Sequence, residues 1–208
     1  MKSALLLSFI GGLFITDATA IGQMMFSRPI FAGSMIGLIG GNLQAGLYIG
    51  MIMELVWITV IPMGSAVPPD ASVVAIAATA IASSGKIVPS YLVFLVLLLV
   101  PFGIVFKKLD MIHREFNVYF SDKTEQKLLE GDTSYIKIAI YQSSFLFFFK
   151  GFIFLFILIV LGRLIIPWLY SLIPAKGLLG LNDIFYILPS LGFGTAVTTF
   201  IFKKSPNI

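Results

Sequence analysis

After Lys2, four charged side chains interrupt the strongly apolar first 85 residues and are the best candidates for binding chemistry. They are Asp17, Arg28, Glu54 and Asp70. Glu54 has apolar residues on both sides, so its carboxylate must meet protein donors, water or a polar ligand. Asp70 follows two consecutive prolines, which end a helix and leave backbone groups free. Because carboxylates accept strong hydrogen bonds from hydroxyls, the pattern indicates a site for a hydroxylated solute such as a sugar.

Each candidate also has a plainer structural interpretation. Asp70 precedes an apolar run and can simply cap the N-terminus of a helix. Glu54 can form a structural ion pair with Arg28. Trp57, one helical turn after Glu54, can stack on a sugar ring, but a position at the membrane interface or packing within the protein is the favoured interpretation. These alternatives stay open at the level of sequence.

The composition indicates a protein embedded in a lipid bilayer. Of 208 residues, 58% are hydrophobic and only 12% are charged, whereas soluble domains carry about 25% charged residues. A chain of this length cannot bury so much apolar surface inside itself. The net charge of +4 is not gathered on one basic face, which argues against a nucleic-acid partner.

The scarcity of reactive side chains excludes several classes of site. The chain has no cysteine, so disulfides, thiolate metal sites and cysteine nucleophiles are excluded. Its only histidine, His113, leaves almost no material for a histidine metal cluster or a Ser-His-Asp triad. We interpret His113 as an exposed loop histidine. No catalytic residue, metal or cofactor is predicted.

The apolar pattern predicts an all-α, polytopic membrane protein whose two halves differ. The first 86 residues form a glycine-rich part with apolar pieces too short for full spans, which are typical of broken or re-entrant helices. Gly33, Gly37 and Gly41 form a small-xxx-small pattern that suits close helix packing. The first piece resembles a secretory signal, but retention is the favoured interpretation. The pieces are 2–16, 29–41, 45–61 and 71–82.

The second half is predicted to hold three full spans and one polar segment. Segment 107–137 carries apolar residues at helical spacing, at Leu109, Ile112, Phe116 and Tyr119. It is therefore expected to be an amphipathic helix on the membrane surface or on the protein, ended by the break at Gly131–Asp132. Lys150, inside the second span, should face a packed neighbour or a partner subunit. The spans are 87–106, 138–161 and 178–202, which gives the units 1–86, 87–106, 107–137 and 138–208.

Basic residues predict the orientation of this half in the membrane. They are gathered in segment 107–137 and after the last span, at Lys203 and Lys204. Only Arg163 and Lys176 remain for the predicted connection 162–177. By the positive-inside rule, segment 107–137 and the C-terminus are expected to be cytoplasmic and 162–177 external.

The stretch from Phe26 to Asp70 closely resembles the IIC subunit of the mannose–fructose–sorbose family of bacterial phosphotransferase permeases. It reads FSRPIFAGSMIGLIGGNLQAGLYIGMIMELVWITVIPMGSAVPPD. The matching features are the F-x-RP start, a glycine-spaced segment, an acidic residue before a Trp/Leu-rich run, and the ending Gly64 to Asp70. Later positions also resemble the family, over most of residues 15–197: Arg114, Asn117 and Phe120, Glu130–Asp132, Gly180–Asn182 and Leu188–Gly194.

The resemblance implies a function in sugar uptake at the bacterial inner membrane. In the family, the IIC subunit joins a IID membrane subunit, binds the sugar between them and moves it by an elevator-like motion. Cytoplasmic IIA and IIB components relay phosphate, and IIB phosphorylates the sugar, so no phosphotransfer residue is expected here. Trimers of IIC–IID pairs are implied. The residues expected to bind substrate are Glu54, Asp70, Ser65, Gly64, Trp57, Asn42, Arg28 and Asp17.

Three departures from the family pattern keep alternatives open. Asn42 stands where the family often has aspartate, Asp122 stands where many members have histidine, and the chain stops at Ile208 where members usually continue. The alternative is therefore a non-transporting or repurposed membrane scaffold or sensor with the same fold. A third possibility is an unrelated transporter with an accidental match. The sugar itself is not specified by the sequence.

Overall fold

The computed structural model describes residues 2–20, 22–57, 69–85 and 88–202, and within these ranges it contains helices and no strands. The all-α prediction is confirmed. Four short helices come first: α1 (Lys2–Asp17), α2 (Pro29–Ile39), α3 (Leu43–Trp57) and α4 (Ala71–Ala82). Three long helices follow: α5 (Pro89–Leu129), α6 (Ser134–Ser171) and α7 (Ala175–Phe202).

The short helices lie close to the predicted apolar pieces because glycine, proline and single polar residues delimit them. Helix α2 begins with Pro29, whose fixed φ suits the first helical position. It ends before Gly41, which adopts a φ of +82° that favours glycine. Helix α4 covers residues 71–82 as predicted and begins directly after Asp70.

The predicted boundary between a span at 87–106 and a separate polar helix is wrong. Helix α5 continues without interruption from Pro89 to Leu129, and Pro101 lies inside it. The change at residue 107 is from apolar to polar side chains, which alters the surroundings of the helix but not its backbone. The predicted break at Gly131 is confirmed, since Gly131 has a φ of +89° between α5 and α6.

The predicted connection 162–177 is also too long. Helix α6 extends through Arg163 and Pro167 to Ser171, and only residues 172–174 separate it from α7. Arg163 is therefore a helical residue that reaches into the protein, and it does not belong to an external loop.

By length and hydropathy, two of the described helices, α5 and α6, qualify as membrane spans. Helix α7 covers the third predicted span but does not meet the same criterion, so the count of three remains a prediction. One side of α6 exposes apolar residues at helical spacing, including Phe149, Ile153, Ile157 and Leu161. A row of this kind suits contact with lipid.

Helix α4 forms the centre of the molecule. It contacts α1, α2, α3, α5 and α6, and every residue from Val73 to Ala82 is buried. Its sequence consists mostly of alanine, valine and isoleucine, so it can be surrounded on all sides by other helices. The residues at its two ends are consequently held in fixed positions.

Helices α2 and α3 pack backbone to backbone through four glycines. A Cβ added at Gly37 would lie 2.6 Å from the Asn42 carbonyl oxygen, and one at Gly50 would lie 2.6 Å from that of Pro29. Gly33 and Gly46 face each other in the same contact. The packing interpretation of the small-xxx-small pattern is thus confirmed for Gly33 and Gly37, whereas Gly41 forms the turn.

Candidate functional site

Residues 22–28, in the second part of the connection between α1 and α2, form the centre of the candidate site, and we call them the site loop. Its backbone is unusual: Gly22, Gln23 and Met25 all have positive φ, at 85°, 51° and 67°. Positive φ is uncommon for residues other than glycine and costs free energy. Side chains from three helices hold the loop: Asp17 of α1 and Ser72 of α4 bind its backbone, and Glu54 of α3 binds the Arg28 side chain.

Asp17, at the end of α1, holds the first part of the site loop. One carboxylate oxygen accepts a hydrogen bond from the Met24 N–H at 2.8 Å, and the other accepts from the Ser27 N–H at 3.3 Å. Asp17 is buried, with 6% of its surface exposed. Both oxygens are therefore engaged in positioning the loop, a role that the sequence did not reveal.

Glu54, on α3, binds the other end of the site loop. Its carboxylate lies 2.6 Å from the Arg28 guanidinium and accepts a long hydrogen bond of 3.5 Å from the Ile30 N–H. The alternative that Glu54 pairs with Arg28 is thus confirmed. The ion pair is accessible to a ligand, because 51% of the Arg28 side chain and 15% of the Glu54 side chain are exposed.

Asp70 caps α4, as the structural alternative predicted. Its carboxylate accepts hydrogen bonds from the Ser72 and Val73 N–H groups, both at 3.1 Å. Its own N–H donates to the Gly103 carbonyl of α5 at 3.1 Å. The Ser72 hydroxyl in turn donates to the Ser27 carbonyl of the site loop. The start of α4 and the Arg28–Glu54 pair are therefore joined through adjacent loop residues.

The remaining predicted site residues are placed differently. Trp57 ends α3 and packs against the core, as the favoured interpretation expected. Asn42 lies at the opposite end of α3, where its side-chain oxygen accepts from the Ala45 N–H at 3.1 Å. Since it lies twelve residues from Glu54, the separation is about 18 Å along the helix, and the structure does not bring Asn42 to the site loop. Gly64 and Ser65 lie outside the described residues.

A second charged cluster, which the sequence reasoning missed, surrounds Asp110 on α5. This carboxylate is 2% exposed and lies 3.2 Å from Lys150, 3.3 Å from Arg114 and 3.6 Å from Lys107. Lys150 thus faces a packed neighbour, as predicted. The spacing of Lys107, Asp110 and Arg114, at three and four residues, was the signal in the sequence.

The prediction of an exposed His113 is wrong. His113 is 6% exposed and lies on α5 with its ring edge-on to Phe147, at a centroid distance of 5.3 Å. It is buried because α6 packs against this face of α5. Within the described part of the chain, no group of three or more His, Cys, Asp or Glu side chains is placed to hold a metal ion.

The chain is similar to known sugar permease subunits. It is 32% identical over 84 residues to the protein described as N-acetylgalactosamine permease IIC component 2 of Escherichia coli K12, a match covering 40% of this chain and 60% of that one. It is 27% identical over 81 residues to the mannose-specific EIIC component of the same strain, covering 39% and 30%. These matches span less than two thirds of either relative.

Two solved structures have the same fold. One, titled as the structure of a membrane protein, gives a TM-score of 0.79 with 21% identity over 96% of this chain and 80% of the other. The mannose transporter ManYZ, solved with microcin E492, gives a TM-score of 0.69 with 21% identity over 97% and 80%.

The family model described as the phosphotransferase-system sorbose-specific IIC component matches residues 1–206, which is nearly the whole chain. Together with the apolar helices, this match identifies a multi-pass membrane protein. The chain belongs to the sorbose-specific IIC component family of the phosphotransferase system.

Proposed function

We propose that this chain is the sugar-translocating IIC subunit of a phosphoenolpyruvate-dependent permease in the bacterial inner membrane. It binds the sugar at the site loop with Arg28, Glu54 and Asp70, and with Gly64 and Ser65, which precede Asp70 in the sequence. Trp57 contributes packing at the end of α3. Asp17 acts indirectly by holding the loop.

The observation that carries this proposal is the Arg28–Glu54 pair. Placing a charged pair in an apolar helical protein costs free energy, so such a pair indicates a functional site. The Arg28–Glu54 pair carries no net charge and is partly exposed. It therefore offers both hydrogen-bond donors and hydrogen-bond acceptors to an uncharged ligand. Sugar hydroxyls both donate and accept hydrogen bonds, and charged partners strengthen those bonds.

The unusual backbone of the site loop supports the same assignment. Residues with a strained backbone conformation are concentrated at functional sites, where the surrounding structure holds them in place. Here Asp17, Glu54 and Ser72 hold one short loop from three different helices, and Glu54 does so through the Arg28 side chain. A sugar that binds Arg28 or Glu54 would therefore affect the contacts of the loop with α1, α3 and α4 together.

The subunit works with partners in this proposal. A IID membrane subunit completes the sugar site, and cytoplasmic IIA and IIB components relay phosphate, so that IIB phosphorylates the arriving sugar. Assembly as a trimer of IIC–IID pairs is part of the proposal. The basic residues around segment 107–137 favour a cytoplasmic position for that segment and the C-terminus.

A second candidate is a non-transporting scaffold or sensor with the same fold. The observation that favours it is that Asp17, Glu54 and Asp70 all have protein partners. A carboxylate that only holds structure would need no ligand. The two candidates differ in one respect, namely whether Glu54 is needed for sugar binding or only for folding.

The experiment is sugar uptake and sugar binding by Glu54→Gln, with Glu115→Gln as the matched control on the exposed face of α5. Glutamine keeps the size of the side chain but removes its charge. We expect Glu54→Gln to reach the membrane, assemble with IID and lose uptake, while the control behaves as wild type. Calorimetry with hexoses and amino sugars should show binding by wild type and the control but not by Glu54→Gln. Assembly without binding in wild type would favour the scaffold.

A further inference from the structure

A large cleft between α5 and α6, whose wall also includes Ala18, Thr19, Ala20 and Gln23 of the α1–α2 connection, contains none of the residues proposed to bind the sugar. Its volume is about 810 Å³, which lies within the usual range for small-molecule sites. Much of its wall is polar, formed by Arg114, Asn117, Ser121 and Thr124 of α5 and by Ser143 and Ser144 of α6. The α5 residues recur at three- and four-residue spacing, so they form one face of the helix.

The charges at one end of the cleft do not cancel. Asp110 is shared by three cations, Lys150, Arg114 and Lys107, at 3.2, 3.3 and 3.6 Å. Among the described ion pairs, three cations therefore share one carboxylate, which leaves a net positive charge at this end of the cleft.

Arg114 is the cation that brings this surplus into the cleft. It lines the cleft, whereas Lys107 and Lys150 approach Asp110 without lining it. Its side chain is 64% exposed, and a guanidinium has five N–H donors to offer a planar or tetrahedral anion. Glu125 also lines the cleft, but it lies eleven residues further along α5, about 16 Å away. It therefore does not neutralise Arg114, whose ion-pair partner is Asp110, a residue of the cleft wall that is shared with Lys107 and Lys150.

We propose that this cleft binds a phosphate ester that carries free hydroxyls. The phosphate lies against Arg114, which can bind it with two N–H groups. The hydroxyls are bound by the neighbouring polar side chains, among which Asn117 and Ser143 already meet across the two helices at 2.7 Å. This chemistry belongs to a phosphorylated sugar and equally to a phosphoglycerol lipid headgroup. The proposal does not depend on the sugar site at Arg28 and Glu54.

Two binding experiments on the purified full-length chain distinguish these sources. In the first, the chain in nanodiscs of neutral lipid is titrated with mannose 6-phosphate, with mannose and inorganic phosphate for comparison. In the second, the chain is transferred to nanodiscs containing phosphatidylglycerol, and retained lipid is counted by native mass spectrometry. Binding of mannose 6-phosphate assigns the cleft to a phosphorylated sugar, and retention of phosphatidylglycerol assigns it to a lipid headgroup.

Three variants test the location. Charge-assisted hydrogen bonds are stronger than neutral ones. Arg114→Gln should therefore lower the affinity for the phosphate ester about tenfold or more. Lys108→Gln removes the same charge from an exposed residue of α5 outside the cleft and should have no effect. Ser121→Ala removes one hydroxyl and should weaken binding about threefold, which keeps the test available if Arg114→Gln fails to fold.

The proposal is overturned if neither probe binds, or if binding is the same in Arg114→Gln and Lys108→Gln. Glu54→Gln serves as the separating variant. It should leave binding in the cleft unchanged even where sugar uptake is lost, so failure of one proposal does not imply failure of the other.

Discussion

Asp70 and Arg163 lie at opposite ends of α4, and each hydrogen-bonds to the helix end whose dipole it complements. Asp70 accepts from the first N–H groups of the helix. Arg163, reaching across from α6, donates to the Ala80 carbonyl in the last turn at 3.2 and 2.7 Å, and to the Ser3 hydroxyl at 3.0 Å. A short helix that is buried on all sides has no water to satisfy its ends, so side chains must do so.

Because Asp70 caps α4, we expect its contribution to stability to be separable from any contribution to transport. Asp70→Ala should lower the free energy of unfolding by about 1–2 kcal/mol because two backbone N–H groups lose their acceptor. Asp70→Asn keeps a capping oxygen and should cost much less. The measurement is the thermal unfolding midpoint in detergent, alongside sugar uptake. If Asp70 also binds sugar, Asp70→Asn will fold normally and lose uptake. Normal uptake in Asp70→Asn would leave Asp70 as a cap alone.

The other end of α4 predicts a structural role for Arg163. Arg163→Met should destabilise the protein by about 1–3 kcal/mol because the buried Ala80 carbonyl loses its donors. Arg163→Lys should recover part of this loss with its single ammonium group. Lys176→Met, at an exposed position of α7, is the control and should be neutral. Equal stability of Arg163→Met and wild type would show that the contact contributes nothing.

The glycine contact between α2 and α3 predicts opposite effects of the same substitution at two positions. Gly37→Ala introduces a Cβ 2.6 Å from the backbone oxygen of Asn42, so the helices must separate. Gly180→Ala adds a Cβ to α7 where nothing lies within 4 Å, and it should stabilise the helix by about 0.5–1 kcal/mol. Thermal unfolding of both variants decides the point. The packing argument fails if Gly37→Ala is as stable as Gly180→Ala.

The parts of the fold that the sequence predicted well are those decided locally. The short helices could be delimited because prolines and glycines act on the backbone of the residues beside them, as at Pro29 and Gly41. The end of the α5 span was wrong because the change of polarity at residue 107 does not break a helix. Hydropathy reports the surroundings of a helix, whereas its ends depend on backbone geometry.

The candidate site was only partly predictable for a related reason. The residue types at Asp17, Arg28, Glu54 and Asp70 identified unusual charges. Asp17, Arg28 and Glu54 meet at one loop, whereas Asp70 caps the helix whose Ser72 binds that loop. Which oxygen binds which N–H group depends on the backbone of that loop, and no local pattern encodes it. Asn42 illustrates the limit: it shares a motif with Glu54 in sequence, but the length of α3 separates them.

A hydrogen bond from Tyr48 of α3 to Phe185 of α7 provides a further test of stability. Pro189 has no N–H, so the Phe185 carbonyl four residues earlier in α7 lacks its helical donor. The Tyr48 hydroxyl donates to that carbonyl, and its ring stacks on Phe185 at a centroid distance of 3.7 Å. Tyr48→Phe should therefore cost about 1–3 kcal/mol by leaving the carbonyl unsatisfied while keeping the stacking.

Pro189→Ala supplies the matched background for this prediction. The substitution would restore a backbone N–H that can donate to the Phe185 carbonyl, so the Tyr48 hydroxyl would no longer be the required donor. Tyr48→Phe should then cost less in the Pro189→Ala protein than in wild type, and a double-mutant cycle of unfolding free energies measures the difference. A coupling energy near zero would mean that the tyrosine does not replace the missing helical hydrogen bond. A clear coupling would assign Tyr48 as the residue that allows a proline within α7.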